Sequence, residues 1–202
     1  MHVYTRLNGF GSTVLPTSPY EARRMLSSDD LELTLFTSAG AMRAAIQVHG
    51  GVRADPPAMA EVARSGYTGE WRLETSLFSC QWPRGFALLA NPGPRAPSKF
   101  DLLGQDGALI YVQGPFRLER ILARGLVAPG QRVLEEGERE GRRFVEVGYQ
   151  VEGRNWIQQH ILIRFDTEHV LMVTVQSLTA HWAATFGAGE TVVETLVTRR
   201  PD

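Results

Sequence analysis

The chain has 202 residues, of which 43% are hydrophobic and 21% are charged, so it is long enough to bury a core as one domain or as two small ones. This composition excludes a disordered chain. The formal net charge of -1 excludes a bulk electrostatic attraction for nucleic acid or anionic membranes, because both bind basic surfaces.

Signals for export and membrane insertion are missing from the sequence. Cys80 is the only cysteine, so no intramolecular disulfide can form. Residues 1–12 contain no apolar segment of the kind found in secretory signals, and no apolar run reaches the roughly 18 residues that a membrane-spanning helix needs. We therefore expect a cytoplasmic protein that has neither nucleic acid nor membrane as a partner.

The first 70 residues are predicted to form an extension of the main sheet. Its expected elements are, in chain order, a helix over residues 18–28, a hairpin of residues 31–35 and 42–48, and a second helix over residues 56–65. Pro19 and Glu21 are typical of a first helical turn, and alternating leucines favour the hairpin. Because residues 66–69 are too few for a flexible linker, we expect residues 1–70 to be integrated with residues 71–202.

Strand-like alternation resumes over residues 71–80, and an irregular segment follows. Closely spaced prolines keep regular elements short between residues 82 and 114. Two apolar runs of strand length remain there, at residues 86–89 and 108–112. A helix is predicted over residues 116–124, where apolar side chains recur at helical spacing.

The run from Gly141 to Ser177 predicts three adjacent antiparallel strands, which form a meander. The strands are expected over residues 144–151, 156–165 and 170–177. Apolar side chains alternate with polar ones in the first two strands. The third strand is continuously apolar and rich in β-branched residues, so it is predicted to be a central strand covered on both faces.

Two further segments flank the meander. The charged residues 135–143 surround two glycines, and mixed charges beside glycine are typical of a solvated turn between strands. A closing helix is predicted over residues 190–197, with Gly187 and Gly189 in the loop that enters it.

From about residue 78 to residue 197, the order of these elements resembles the Mog1/PsbP-like fold. The matching segments are residues 82–86, 111–115, 148–150, 156–160 and 190–197. The resemblance implies an α+β protein, in which residues 71–202 form an antiparallel β-sheet flanked by helices as an α/β/α sandwich. Residues 1–70 add an N-terminal hairpin-plus-helix extension that the resemblance does not cover.

The resemblance also carries an expectation about function. Proteins of this fold are mostly non-enzymatic and serve as small-GTPase partners, photosystem accessory subunits and bacterial lipoproteins. It therefore implies a binding role rather than a catalytic one. The lipoprotein leader is missing from this sequence, so no particular partner is implied.

The search for a reaction centre identifies no catalytic motif, cofactor site or metal site. Cys80 lies in a strand-like run, which favours a buried cysteine over a nucleophile. The histidines lack the spacing that would direct two nitrogens at one metal ion. Neither the glycines near residue 9 nor those near residue 187 continue into a dinucleotide or phosphate-binding motif. We therefore expect a protein that is not an enzyme.

One surface is predicted to bind a partner. Trp156, Gln158, His160 and Arg164 project from one face of the second meander strand, with Leu162 among them. An aromatic anchor beside hydrogen-bonding groups and a cation is typical of protein recognition surfaces. In the alternative, Trp156 closes the edge of the core and the polar groups face water.

The sequence thus predicts a non-enzymatic protein-interaction or regulatory protein whose partner is another protein, such as an adaptor or an immunity-type protein that caps a toxin. The alternative is a small-molecule-binding or enzymatic domain with a pocket walled by the loop of residues 82–114. A third interpretation is a homodimer formed through an edge of the meander or of the hairpin that begins at Leu31.

Overall fold

The structure is a computed structural model that describes residues 4–7, 11–14, 20–24, 31–37, 40–47, 51–55, 71–74, 77–90 and 100–199. The chain forms two compact units, the first of Met1–Leu102 with Glu194–Asp202 and the second of Leu103–Val193. Neither unit ends at residue 70, and residues 66–69 lie outside the described residues. The integration of residues 1–70 with the rest of the chain therefore stays a prediction.

The elements are mostly strands. In chain order, the strands are β1 Tyr4–Leu7, β2 Gly11–Val14, β3 Tyr20–Arg24, β4 Leu31–Thr37, β5 Gly40–Gln47, β6 Gly51–Asp55, β7 Trp71–Glu74, β8 Phe78–Gln81, β9 Ala87–Ala90, β10 Phe100–Leu103, β11 Leu109–Arg117, β12 Arg132–Arg139, β13 Arg142–Val151, β14 Arg154–Arg164, β15 His169–Leu178 and β16 Val197–Thr198. The helices are α1 Leu118–Arg124 and α2 Trp182–Thr195, with short 3-10 turns at Gln105–Gly107 and Thr179–His181. Antiparallel strands with helices confirm the predicted α+β class. No helix among the described residues is long and apolar enough to cross a membrane.

The strands of the first unit are hydrogen-bonded in two separate orders. One has the order β16-β8-β7-β1-β2, and the other has the order β10-β9-β3-β4-β5-β6. Trp82, Leu33, Leu73 and Leu88 are fully buried. The buried guanidinium of Arg24 donates from Nη1 to the carbonyl oxygen of Trp82 at 2.6 Å, and this charge-assisted bond offsets the loss of hydration.

Residues 20–24 form strand β3, and the helix predicted there is wrong. β3 pairs with β4 on one side and with β9 on the other. Ala22 and Arg24 are buried whereas Arg23 is exposed, so burial repeats every second residue as in a strand. Two strand partners therefore override the helix-start signal of Pro19 and Glu21.

The hairpin predicted after β3 is confirmed, because β4 and β5 pair antiparallel with Leu31 opposite Ile46. The strand-like residues 71–80 form two paired strands, β7 and β8, rather than one. The second predicted helix, over residues 56–65, lies outside the described residues.

The second unit contains the antiparallel sheet β12-β13-β14-β15-β11. Strands β13, β14 and β15 confirm the predicted meander, with Ile161 between Phe144 on one neighbour and Val173 on the other. Residues 170–175 of β15 are all buried, which confirms the predicted central strand. The helix predicted over residues 116–124 is confirmed as α1 over Leu118–Arg124, whereas Phe116 and Arg117 belong to β11.

The closing helix is longer than predicted and begins earlier. It starts at Trp182 rather than at residue 190 and ends at Thr195. Gly187 and Gly189 lie inside this helix, so their predicted place in a loop is wrong. Gly189 is buried against Val175 of β15, where close contact leaves no room for a side chain.

The charged residues 135–143 are mostly strand, so the predicted solvated turn is wrong. β12 pairs with β13, and only Glu140 and Gly141, with φ angles of 53° and 74°, form the turn between them. Every residue of β12 is exposed. Charges on both faces conceal the alternation that reveals a strand, whereas the backbone pairing with β13 does not depend on side-chain type.

Candidate functional site

One face of the meander carries the side chains that were predicted to form a binding surface. Residues opposite each other in antiparallel strands share a face, and alternate residues of one strand do the same. Trp156, Gln158, His160 and Arg164 therefore lie on one face of β14. Helix α1 lies on this face, because residues of α1 pack against the cluster that contains Leu162. We call it the α1 face.

Trp156 and Arg164 are the accessible members of the predicted surface. Trp156 is half-buried, and its ring stacks on Tyr149 with 6.5 Å between the ring centroids and 13° between the ring planes. Atom Cη2 of Trp156 lies 3.1 Å from the position that a Cβ would take on Gly107. Trp156 is thus fixed on two sides by packing. Arg164 is exposed at the last position of β14.

Gln158 is buried, with 8% of its surface exposed. Its Oε1 accepts a hydrogen bond from Nε2 of Gln131 at 2.9 Å. The other side-chain atom of Gln131, Oε1, accepts from the backbone nitrogen of Ala128 at 2.8 Å. These bonds fasten the segment before β12 onto the sheet, so the amide of Gln158 is engaged inside the protein.

His160 is also buried, and its Nδ1 lies 2.9 Å from Oγ1 of Thr174 on the neighbouring strand. Burial lowers the pKa of His160 to about 4, because the charged imidazolium loses its hydration. The ring is therefore neutral near pH 7. The structure brings the four predicted residues onto one face but presents only Trp156 and Arg164 to solvent, and their contact with a partner stays a prediction.

An open cleft of about 640 Å³ lies on the α1 face and is lined by Ile121, Leu122 and residues 125–127 on one side and by residues of β12, β13 and β14 on the other. The less exposed part of its lining is apolar and consists of Ile121, Leu126, Phe144, Val145 and Leu162. Leu122 and Val127 also line it, and these two side chains are 43% and 41% exposed. We call this feature the α1 cleft.

The charged residues of the α1 cleft come from the β12–β13 hairpin. Glu138 lies directly opposite Arg143, and opposite charges at such positions offset each other. Glu136 lies opposite Val145, so it has no basic residue across from it in the pairing with β13. An apolar cleft with one uncompensated carboxylate suits an apolar group that carries a positive charge beside it.

The structure provides few groups for chemistry. Among the residues that it describes, no group of three or more His, Cys, Asp and Glu side chains is placed to hold a metal ion. Cys80 is fully buried, as its strand-like position predicts.

The α1 cleft was not predicted from the sequence. The available signal was the pair Leu126 and Val127, two apolar residues directly after Gly125, where a connecting segment is usually polar. The strand side of the cleft had no signal, because β12 was interpreted as a turn.

No protein-family model matches the chain, and no curated protein matches it. Solved structures that are similar to it include LpqN of Mycobacterium tuberculosis, which is involved in cell envelope biogenesis. The match has 15% sequence identity and a TM-score of 0.43, and it covers 61% of this chain and 83% of LpqN. A second is cyanobacterial PsbP (CyanoP) from Synechocystis sp. PCC 6803, with 10% identity, a TM-score of 0.38, and coverage of 60% of this chain and 86% of CyanoP.

Both structures have Mog1/PsbP-like folds, the fold that residues 78–197 are predicted to resemble.

Proposed function

We propose that this chain is a non-enzymatic protein-binding protein and that its partner docks in the α1 cleft. The observation that carries the proposal is the exposure of Leu122 and Val127 beside an apolar lining. Exposed apolar side chains that adjoin one another on the rim of a concave surface are typical of interaction sites, because docking removes them from water.

The charges of the cleft define the kind of partner segment. The lining contains the carboxylates of Glu136 and Glu138 but only one guanidinium, that of Arg143, so its net negative charge favours a basic side chain. The expected segment therefore has apolar side chains next to a lysine or arginine.

The predicted surface around Trp156 receives less support than the cleft. Gln158 and His160 form internal hydrogen bonds, so docking there would have to break them. Trp156 itself is held by Tyr149 and by the turn at Gly107. Trp156 therefore stabilises the sheet more than it offers an exposed anchor to a partner.

Pairing between two copies through the edge of the meander also receives less support. β12 ends the sheet of the second unit, but it carries charged residues along its length and a register shift between Val133 and Glu135. Charges and bulges on an edge strand oppose pairing with another strand. A homodimer built on this edge is therefore the weaker proposal.

The small-molecule alternative placed its pocket along the loop of residues 82–114. The α1 cleft is lined by none of these residues. Residues 91–99 of that loop lie outside the described residues.

The experiment that tests the proposal is affinity capture from host lysate with three forms of the chain. Wild type and a Leu122→Glu, Val127→Glu double variant are compared with Val151→Glu. Val151 is 48% exposed in the same unit but does not line the cleft, so it controls for a new surface charge. A protein captured by wild type and by Val151→Glu but lost with the double variant supports the proposal. Equal capture by all three folded forms contradicts it.

A further inference from the structure

A second cleft, of about 530 Å³, adjoins the start of α1 and is separate from the proposed partner site apart from the shared residue Ile121. Its lining consists of Pro115, Phe116, Arg117, Arg120, Ile121 and His169. We propose that this basic cleft binds a small amphipathic oxyanion, a phosphate or carboxylate group attached to a short apolar chain.

The cationic residues are held side by side by regular structure. Arg117 ends β11 at the N-cap position of α1, where its side chain makes no capping hydrogen bond, and Arg120 follows three residues later. Residues three apart on a helix are surface neighbours. His169 lies directly opposite Arg117 in the pairing of β11 with β15. Two guanidinium groups and an imidazole therefore border one cavity.

The two guanidinium groups have no partner among the residues that the structure describes. Within the part of the chain that the structure describes, the side chains of Arg117 and Arg120 make no hydrogen bond or ion pair. The cleft lining contains no acidic residue. Arginine forms paired, planar hydrogen bonds with carboxylate and phosphate, so a bound oxyanion would supply the missing partner.

The nearby carboxylate of Asp166 is already engaged. Its Oδ1 accepts from the backbone nitrogens of Glu168 and His169 at 2.8 and 2.7 Å, and both carboxylate oxygens lie 3.0 Å from Nδ1 of His169. These bonds lower the pKa of Asp166, the bond from the backbone of Glu168 being the largest cause. When Nδ1 of His169 donates to Asp166, its Nε2 remains for a ligand.

The remaining lining is apolar and fixed. Phe116 and Ile121 pack against the buried cluster of Leu162, Val170 and Met172, so they form a wall that does not need to be ordered by the ligand. A cavity of this volume is of the size that small ligands occupy. Because an apolar wall adjoins the two arginines, the cleft should bind an amphipathic anion more tightly than a simple inorganic one.

The test is calorimetric titration of the full chain with hexyl phosphate, with hexanoate, with inorganic phosphate and with hexanol. We expect hexyl phosphate or hexanoate to bind more tightly than inorganic phosphate, and hexanol not to bind. An Arg117→Gln, Arg120→Gln double variant should weaken binding at least about tenfold, because it removes the charge-assisted hydrogen bonds to the oxyanion. Arg132→Gln is the matched control, because Arg132 is an exposed arginine of the same unit outside the cleft.

Three results would overturn the proposal. These are equal binding of hexanol, unchanged binding by the double variant, and no binding of either amphipathic anion. A fifth arm uses vesicles of phosphatidylcholine with phosphatidylglycerol. Binding to these vesicles without binding to free hexyl phosphate or hexanoate would also overturn it, because the site would then be a lipid-surface contact.

Discussion

Gly189 of helix α2 lies directly against Val175 of strand β15. A Cβ built on Gly189 would lie 2.5 Å from Cγ2 of Val175 and 3.2 Å from its Cγ1. Val175 is fully buried in the middle of the sheet of the second unit, so it has no space to move into. The distance between this helix and its strand is therefore set by the absence of a side chain at residue 189.

We expect Gly189→Ala to destabilise the protein. Overpacking a core costs about 1–3 kcal/mol. This cost exceeds the gain of at most about 1 kcal/mol that alanine gives over glycine in a helix. Gly187→Ala is the control, since a Cβ on Gly187 meets nothing within 4 Å in the same helix. Urea denaturation should show a lower midpoint for Gly189→Ala and an equal or higher one for Gly187→Ala. A gain in stability for both variants would contradict the close contact.

A second prediction concerns pH. The pKa of His160 is about 4 in the folded protein and near 6.5 in the unfolded chain. Below pH 6.5 the unfolded chain therefore binds a proton that the folded protein does not. The contribution of neutral His160 to the free energy of unfolding is fully present above pH 6.5. This contribution is lost as the pH falls towards 4, which lowers the free energy of unfolding by up to about 3 kcal/mol.

The measurement is the free energy of unfolding of wild type and His160→Gln at several values between pH 4 and pH 7. We expect the difference between the two proteins to depend on pH in this range. If His160→Gln changes with pH in parallel with wild type, then His160 is not buried in its neutral form.

The sequence predicted the elements whose side chains alternate between two environments. The meander was predicted because β14 and β13 carry apolar residues at every second position, and β15 because it is apolar throughout. β12 was missed because all of its residues are exposed, so nothing in its side-chain pattern marks a face. The start of α2 was missed because Gly187 and Gly189 are usually unfavourable in a helix, and only the contact with Val175 explains Gly189.

The α1 cleft could not be predicted from local sequence patterns, and the reason differs from the one that applies to β12 and α2. The α1 cleft joins Ile121, Leu122 and residues 125–127 to residues on β12 and β13, and no local spacing links two such segments. Predicting it required the pairing register of a strand that was itself interpreted as a turn. The face that carries Trp156 was predicted because alternation along one strand is enough to identify a face. The burial of that face depends on the segment before β12, which a hydrogen bond from Gln131 joins to it.

A third prediction tests the support under Trp156. Gly107 has a φ of +80°, and a Cβ there would lie 3.1 Å from Cη2 of Trp156. Gly107→Ala should therefore destabilise the protein both through backbone strain, at about 1–2 kcal/mol, and through displacement of the indole. Gly153→Ala, at a φ of +75° with nothing within 4 Å, isolates the strain. We expect Gly107→Ala to be the more destabilising and to alter the near-ultraviolet circular dichroism of tryptophan. Equal effects of the two variants would show that the Trp156 contact contributes nothing.

The central claim is that a protein partner docks in the α1 cleft, and site-specific photo-crosslinking tests it most directly. A photoreactive amino acid is placed at residue 122, inside the cleft, or at residue 151, which is similarly exposed but outside it. We expect a defined crosslinked protein from position 122 and no such product from position 151. The product from position 122 should be lost when Glu136 is changed to lysine. The same product from both positions, or none from position 122, would contradict it.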